Sequence, residues 1–328
     1  MSVRRRLLLA ALPLAAAVAL LGLDVPPVPT WFYVFAWYPT LLLLDTVVVR
    51  LGGESLLARP AALAAMLWWS AVIWCLFEAL NFRLQNWYYV FLPAHRVERW
   101  AGIVLSFATV VPAIVLLARV FERLGLWRTL TSRPVTIGPR SLAVTFGVGA
   151  ATLAATLAAP RHLYPWTWGA LWLVAEPALY RTNPALSLLG DLGRGQWCRI
   201  ARLMTGGLVA GALWETYNAG ARGQWIYTVP FLEDFKLFEM PLLGFVGFPF
   251  FALESWSLYH LLATATRRIA LVGSAAFTVL VLAGMDRWTI SSTTPRVSEL
   301  PGVPAETLAR LERAGLDDVF ELARLPTE

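Results

Sequence analysis

The chain has 328 residues, of which 58% are apolar and only 15% are charged, and its net charge is +6. Because a soluble domain of this length carries about 25% charged residues, the composition excludes an ordinary soluble fold and favours an integral membrane protein. Most arginines lie at the ends of apolar runs, where positive charge sets membrane topology. The basic balance therefore does not predict a nucleic-acid partner.

Apolar runs long enough to cross a bilayer recur along the chain. The first follows Arg4, Arg5 and Arg6, and we interpret it as a retained helix because no small-residue cleavage site precedes Asp24. A cytoplasmic N-terminus puts most span-flanking arginines on the cytoplasmic side, which predicts a multi-pass protein of the bacterial inner (plasma) membrane. Nine spans are expected, at residues 7–23, 32–49, 61–80, 101–118, 141–159, 166–180, 203–219, 240–262 and 269–285.

The chain also contains an internal duplication. Glu78 and Asn81 recur as Glu215 and Asn218 at an offset of 137 residues. At an offset of 131 residues, Trp37, Asp45 and Arg50 recur as Trp168, Glu176 and Arg181. A shift of four spans preserves orientation, so the copies are expected to be parallel repeats with a shared site at their interface.

These patterns predict an all-α fold, a polytopic membrane helix bundle. About nine transmembrane helices would form two parallel four-helix repeats plus one, followed by a small helical C-terminal tail module. The expected units are 1–136 for the first membrane repeat, 137–264 for the second, 265–288 for the final transmembrane helix and 289–328 for the soluble helical hairpin tail.

Polar groups in the spans are the functional candidates, because an ionisable group in a membrane is costly unless it is paired or wetted. The three-residue spacing puts Glu78 and Asn81 on one helix face, and the same holds for Glu215 and Asn218. A Trp-x-Tyr motif follows each pair, at a position typical of an interfacial aromatic belt. One interpretation is a cleft in which a carboxyl acts as a general acid; the other is that each pair only holds backbone and helices together.

A second polar layer is predicted near the cytoplasmic boundary. There Asp45 would pair with Arg50 and Glu176 with Arg181. Pro249 is expected to free a backbone carbonyl in mid-span, with Glu254 near the water that would satisfy it, or else to shape packing only.

The tail after Thr289 is polar, and its predicted helices cover 305–314 and 318–325. It resembles a helix-hairpin-helix unit. Pro304 occupies the place of the second glycine, and the segment 286–328 is net acidic, so a protein partner or simple capping is expected rather than DNA binding.

Asn218, Trp225-x-Tyr227 and then Glu239-Met240-Pro241 are similar to the lycopene cyclase domain of membrane carotenoid cyclases. The resemblance implies duplicated short helical units and acidic residues that protonate a polyene. The Trp-x-Tyr motif and the run from Phe238 to Phe245 also resemble bacterial integral membrane proteins of unassigned function.

Two functions stay open. One is an enzyme that uses acid/base chemistry on an apolar isoprenoid or lipid; the other is a transporter or binding scaffold with a site between the repeats. No cofactor, metal or nucleotide motif is found, and membrane lipids are the expected surroundings. The candidate catalytic residues are Glu78, Glu215 and Glu239, and the candidate binding residues are Asn81, Trp87, Tyr89, Asn218, Trp225, Tyr227 and Glu254.

Overall fold

The computed structural model describes residues 3–231, 235–263, 268–316 and 319–323, and it is mostly helical. The membrane part is built from long helices linked by short turns, with two shorter helices in the tail. The helices are α1 Val3–Gly22, α2 Val28–Arg50, α3 Pro60–Leu84, α4 Arg96–Phe107, α5 Val110–Arg123, α6 Pro139–Ala158, α7 Pro160–Leu163, α8 Thr167–Thr182, α9 Leu188–Gly193, α10 Cys198–Gly220, α11 Gly247–Leu262, α12 Arg268–Trp288, α13 Ala305–Arg313 and α14 Val319–Leu322.

Six short strands lie in the segments between helices and form three two-stranded sheets. They are β1 Trp87–Val90, β2 Leu92–Pro93, β3 Gln224–Tyr227, β4 Lys236–Leu237, β5 Met240–Pro241 and β6 Thr293–Thr294. Strand β1 pairs antiparallel with β3, β2 pairs parallel with β6, and β4 pairs antiparallel with β5. The first of these pairs joins the ends of α3 and α10, which lie far apart in sequence.

Within the described residues, seven helical segments are long and apolar enough to cross a membrane. They are Val3–Gly22, Val28–Arg50, Pro60–Leu84, Arg96–Arg123, Pro139–Ala158, Leu242–Leu262 and Ala270–Trp288. The predicted helical class, with several apolar helices of membrane-spanning length, is therefore confirmed, while the count of nine spans stays a prediction. The other two expected spans correspond to α8, which has 16 residues, and to α10, which has 23 residues but a more polar composition.

Packing explains how the bundle accommodates α8, which is shorter than the seven apolar segments, and α10, which is more polar than they are. Helix α8 packs between α6 and α11, and α10 packs against α5 and α11. Neighbouring helices cover much of both, so their small and polar residues need not face lipid. Helix α1, by contrast, packs mainly on α2 and exposes leucines such as Leu8 and Leu12.

Asp45 and Glu176 make matching contacts with the turns that follow their helices. The Ser55 hydroxyl donates to Oδ2 of Asp45 at 2.7 Å, and the Ser187 hydroxyl donates to Oε2 of Glu176 at 2.6 Å. The backbone N–H of a nearby leucine donates to each acid as well, from Leu56 or from Leu189. Each acid therefore satisfies the backbone of a turn that would otherwise be buried without partners.

The expected local ion pairs at this layer are wrong. The cation near Asp45 is Arg6 of α1, at 3.2 Å, while Arg50 lies exposed at the end of α2. Glu176 accepts hydrogen bonds from serine hydroxyls, including that of Ser257 at 2.6 Å. Two side chains five residues apart on a helix point in different directions, so Asp45 and Glu176 do not reach the arginines five residues later. Both acids face the interior and contact the serine turns.

Pro249 does not kink a helix in mid-span, contrary to expectation. Helix α11 begins at Gly247, after a 3₁₀ segment over Leu242–Val246, so Pro249 lies in the first helical turn. Backbone N–H groups there have no partner within the helix, and a proline removes nothing.

The tail docks on the end of the bundle that carries β1. Phe320 of α14 packs against Phe91, with ring centroids 6.0 Å apart. The Arg222 guanidinium lies over the Phe320 ring, 4.0 Å from its centroid. Arg99 binds Oδ1 of Asp286 at 2.9 Å at the end of α12. The first predicted tail helix corresponds to α13 and the second to α14, although residues 318, 324 and 325 lie outside the described residues.

Candidate functional site

Four of the predicted site residues form two equivalent buried pairs. Glu78 and Asn81 lie near the end of α3, and Glu215 and Asn218 lie near the end of α10. All four have exposed fractions of 1% or less. The structure therefore puts the carboxyl and amide groups inside the bundle rather than on its lipid surface.

The two asparagines have the same structural role. The Asn81 side-chain amide donates to the Trp87 carbonyl at 2.7 Å, and its oxygen accepts from the Asn86 N–H at 2.9 Å. Asn218 donates to the Trp225 carbonyl and accepts from the Trp225 N–H, both at 2.9 Å. Each amide thus ties the end of its helix to the following strand.

The two Trp-x-Tyr motifs are strands that pair with each other. Trp87 lies opposite Tyr227, and Tyr89 lies opposite Trp225 in the antiparallel register of β1 and β3. Trp87 and Tyr89 are buried, so the expectation that the motif forms an interfacial belt is wrong for them. Hydrogen bonding explains the inward orientation, because both tyrosines donate to the glutamates.

Glu78 has three side-chain donors on one of its oxygens, while its buried Oε2 atom has no partner among the described residues. Its Oε1 atom accepts from the Tyr89 hydroxyl at 2.6 Å, the Trp87 indole at 2.9 Å and the Trp74 indole at 3.0 Å. Such a set holds three aromatic side chains in fixed positions around one oxygen. Glu78 does not line the cavity between the ends of α3 and α10, and its contacts are those of a structural residue.

Glu215 has far fewer partners. Its Oε1 atom accepts from the Tyr227 hydroxyl at 3.0 Å, and its buried Oε2 atom has no partner among the described residues. Two donors that serve Glu78 have no counterpart here. The position equivalent to Trp74 is Gly211, and the indole N–H of Trp225 is itself without a partner in the described part of the chain.

Both tyrosine hydroxyls that meet the glutamates lie outside the helical spans. Burial raises the pKa of Tyr89 and of Tyr227 well above the usual value for a phenol. The two hydroxyls therefore keep their protons and act as donors to the carboxyl groups.

A cavity of about 80 Å³ lies between the ends of α3 and α10, and Glu215 lines it. Of the residues that line it, Glu215 is the single carboxyl group, and more than half carry aromatic rings. A water molecule needs about 10–15 Å³ by a comparable measure, so a slender apolar group fits. The aromatic lining residues are Trp31, Tyr33, Trp74, Trp87, Tyr89, Phe107, Trp168, Trp214, Trp225, Tyr227, Phe248 and Phe251.

Glycines allow the rings to close around this space. A side chain at Gly102 would overlap the Trp31 ring, and a Cβ at Gly247 would lie 2.9 Å from Cδ1 of Trp168. Phe248 packs directly against the bare backbone of Gly211. Close ring-to-backbone contact of this kind shapes a defined cavity wall.

The other two candidate acids lie elsewhere. Glu239 occupies the turn between β4 and β5, partly exposed, and does not line the cavity. Glu254 is buried, and its Oε1 atom accepts from the backbone N–H of Gly169 at 2.6 Å and of Leu171 at 3.0 Å. Since α8 is broken at Trp168 and Gly169, Glu254 satisfies backbone N–H groups that the break leaves free.

Several wall residues, among them Trp31, Trp74 and Trp214, were not predicted as site residues from the sequence. Their positions did carry a signal, because Trp74 lies four residues before Glu78 and so shares its helix face. Trp214 directly precedes Glu215. Among the described residues, no group of three or more His, Cys, Asp or Glu side chains could hold a metal ion.

Comparison with known proteins does not assign this site. No protein-family model matches the chain, and no match was found among curated proteins or among solved structures.

Proposed function

We propose that this protein is a membrane enzyme that binds an unsaturated isoprenoid or lipid in the aromatic cavity and protonates it with Glu215. One observation carries the proposal: Glu215 is the single carboxyl group among the cavity-lining residues, and its Oε2 atom has no partner among the described residues. An unpaired charge is costly to bury, so Glu215 would be protonated, and therefore neutral, before the reaction.

The surrounding rings suit the chemistry that follows protonation. Transfer of the Glu215 proton to a carbon–carbon double bond leaves a carbocation and a carboxylate. Aromatic faces attract cations, and a dry apolar site prevents their capture by water. Loss of a proton from another carbon to the carboxylate gives an isomerised or cyclised product and restores the acid, so the reaction needs no oxidant or cofactor.

Tyr227 and Trp225 have supporting roles in this proposal. The Tyr227 hydroxyl holds Oε1 of Glu215 and leaves Oε2 as the reacting oxygen. Asn218 binds both the N–H and the carbonyl of Trp225, which fixes the strand that carries the two rings. The similarity to the lycopene cyclase domain points to the same class of substrate.

The proposal includes two parallel repeats with the site at their interface. Three observations support it. Asn81 and Asn218 form matching hydrogen bonds to the strands that follow their helices, and Asp45 and Glu176 form matching hydrogen bonds to serine turns. In addition, β1 of the first repeat pairs with β3 of the second. The arginine-rich helix ends would face the cytoplasm. Reporter fusions at the N-terminus and C-terminus test this orientation, and an active extracytoplasmic reporter at the N-terminus would refute it.

The test of the enzyme proposal is lipid analysis after expression in a host that makes acyclic carotenoids and other isoprenoids. A new isomer or cyclised product is expected with the natural chain and with Glu239→Gln, whose side chain lies outside the cavity. The product should disappear with Glu215→Gln. Identical lipids with and without the protein would refute the enzyme and favour the alternative, a transporter or binding scaffold that uses the same cavity.

A further inference from the structure

A second, larger cavity lies at the opposite end of the helix bundle. It encloses about 820 Å³ between the start of α3, the end of α5, the start of α10 and the end of α11. Its wall includes six arginines and three acids, whereas the aromatic cavity has one carboxyl group and no arginine in its lining. The two cavities therefore differ in the ligands that they can accept.

Each acid in the wall is already matched by an arginine of the same wall. The pairs are Glu54 with Arg59 at 2.5 Å, Asp191 with Arg199 at 3.0 Å and Glu122 with Arg202 at 3.3 Å. Asp191 also pairs with Arg194, which lies outside the lining, at 2.6 Å. These ion pairs leave no acid of the wall to neutralise another cation.

Three further arginines remain, and they are Arg119, Arg123 and Arg128. None of them forms an ion pair with an acid among the described residues. Arg119 is half-buried near the end of α5, while Arg123 and Arg128 are exposed. Arginines beside a membrane span can set its orientation wherever they lie around the helix end. These three instead line one concave space, and no acid among the described residues neutralises them.

The first turn of α10 adds to the positive potential. Cys198 and Arg199 line the cavity, and the N-cap residue, Trp197, offers no side-chain acceptor to the helix. The N-terminal end of a helix carries a partial positive charge that attracts anions. On the membrane side the wall is apolar, with Met66, Val115 and Leu203.

We propose that this cavity binds a multiply charged phosphate group, such as a diphosphate or the phosphate headgroup of an amphiphile. Arg119, Arg123 and Arg128 supply the charge, since guanidinium groups match phosphate oxygens in geometry and stay charged at any physiological pH. The apolar inner wall suits a ligand that carries a hydrocarbon part as well. This site is independent of the chemistry at Glu215.

Binding is measured on the full chain in a zwitterionic detergent, with inorganic pyrophosphate as the probe of a soluble source. Calorimetric titration at low salt is expected to give saturable binding. The triple variant Arg119→Gln, Arg123→Gln, Arg128→Gln should bind at least about tenfold more weakly. The matched control is Arg50→Gln, Arg133→Gln, Arg140→Gln, which removes the same charge outside the cavity lining and should change the affinity less than about twofold.

The lipid source has its own measurement. The protein is reconstituted in nanodiscs of phosphatidylglycerol and phosphatidylcholine, released into detergent, and the retained phospholipid is counted by native mass spectrometry. Selective retention of phosphatidylglycerol, lost in the cavity variant and kept in the control, assigns the site to a lipid headgroup. Pyrophosphate binding without lipid retention assigns it to a soluble phosphate.

Absence of both signals would overturn the proposal, and so would an equal loss in the cavity variant and the control, which would show only general charge attraction. All variants replace exposed or half-buried arginines, and their thermal unfolding midpoints, compared with that of the natural chain, exclude misfolding as the cause. Activity at the aromatic cavity is not a readout, so failure here leaves the proposal for Glu215 standing.

Discussion

The Trp74 indole donates to Oε1 of Glu78 at 3.0 Å, from one turn earlier on the same helix. The equivalent residue on α10 is Gly211, which has no side chain, and Phe248 packs into the space. This difference divides two carboxyl groups that otherwise occupy matching positions. Glu78 is held by three donors and Glu215 by one, and the Oε2 atom of each has no partner among the described residues, but of the two it is Glu215 that lines the cavity.

The first prediction concerns the stabilities of the two glutamate variants. Glu78→Ala leaves three buried donors without an acceptor, while Glu215→Ala leaves only the Tyr227 hydroxyl. Each buried group left unsatisfied costs about 1–3 kcal/mol. Glu78→Ala should therefore lower the thermal unfolding midpoint in detergent well below that of Glu215→Ala, and the reverse order would contradict the assigned roles.

The second prediction concerns the wall formed by Trp31. Gly102→Ala forces the Trp31 ring out of place, because the added methyl overlaps it. We expect destabilisation of about 1–3 kcal/mol, typical of overpacking, together with loss of product formation. Gly147→Ala is the control, since nothing lies near its added methyl, and it should leave the unfolding midpoint unchanged or raise it slightly. Equal behaviour of the two variants would refute the packing argument.

The third prediction concerns the ion pair between Arg6 and Asp45. Arg6→Gln leaves the fully buried carboxylate of Asp45 without its cation at 3.2 Å. Removing one partner of a buried pair costs about 3–5 kcal/mol. Adding Asp45→Asn to Arg6→Gln removes the unpaired charge, so the double variant should recover part of the lost stability. A double variant that is less stable than Arg6→Gln would contradict this prediction. It would show that the hydrogen bonds from the Ser55 turn to the Asp45 carboxylate contribute more stability than the unpaired charge costs.

The fourth prediction concerns the register of β1 and β3. Tyr88 lies opposite Ile226, and directly opposed residues have Cβ atoms about 4.5–5.5 Å apart. Tyr88→Cys with Ile226→Cys, in a chain whose Cys75 and Cys198 are replaced by serine, should form a disulfide under mild oxidation. A gel-mobility shift after cleavage of the chain between the two positions reports it. Tyr88→Cys with Gln224→Cys, two positions out of register, should cross-link far less.

Part of the site could be read from the sequence because it depends on local geometry. The three-residue spacing of Glu78 and Asn81 put both side chains on one helix face, and the offset of 137 residues identified Glu215 and Asn218 as their counterparts. The matched asparagine contacts follow this pattern. The roles of Glu239 and Glu254 could not be read in this way, because they depend on a strand turn and on a break in a distant helix.

Composition and periodicity by themselves determined the membrane-helical class and most of the long apolar helices, because burial in lipid acts on each segment independently. The tertiary structure alone decided which glutamate faces a cavity, which tryptophans form its wall, and that the two Trp-x-Tyr motifs pair as strands. Those features arise from contacts between separate helices and strands, such as the pairing of Trp87 with Tyr227, and the side chain missing at Gly211 has consequences only once Phe248 packs against it.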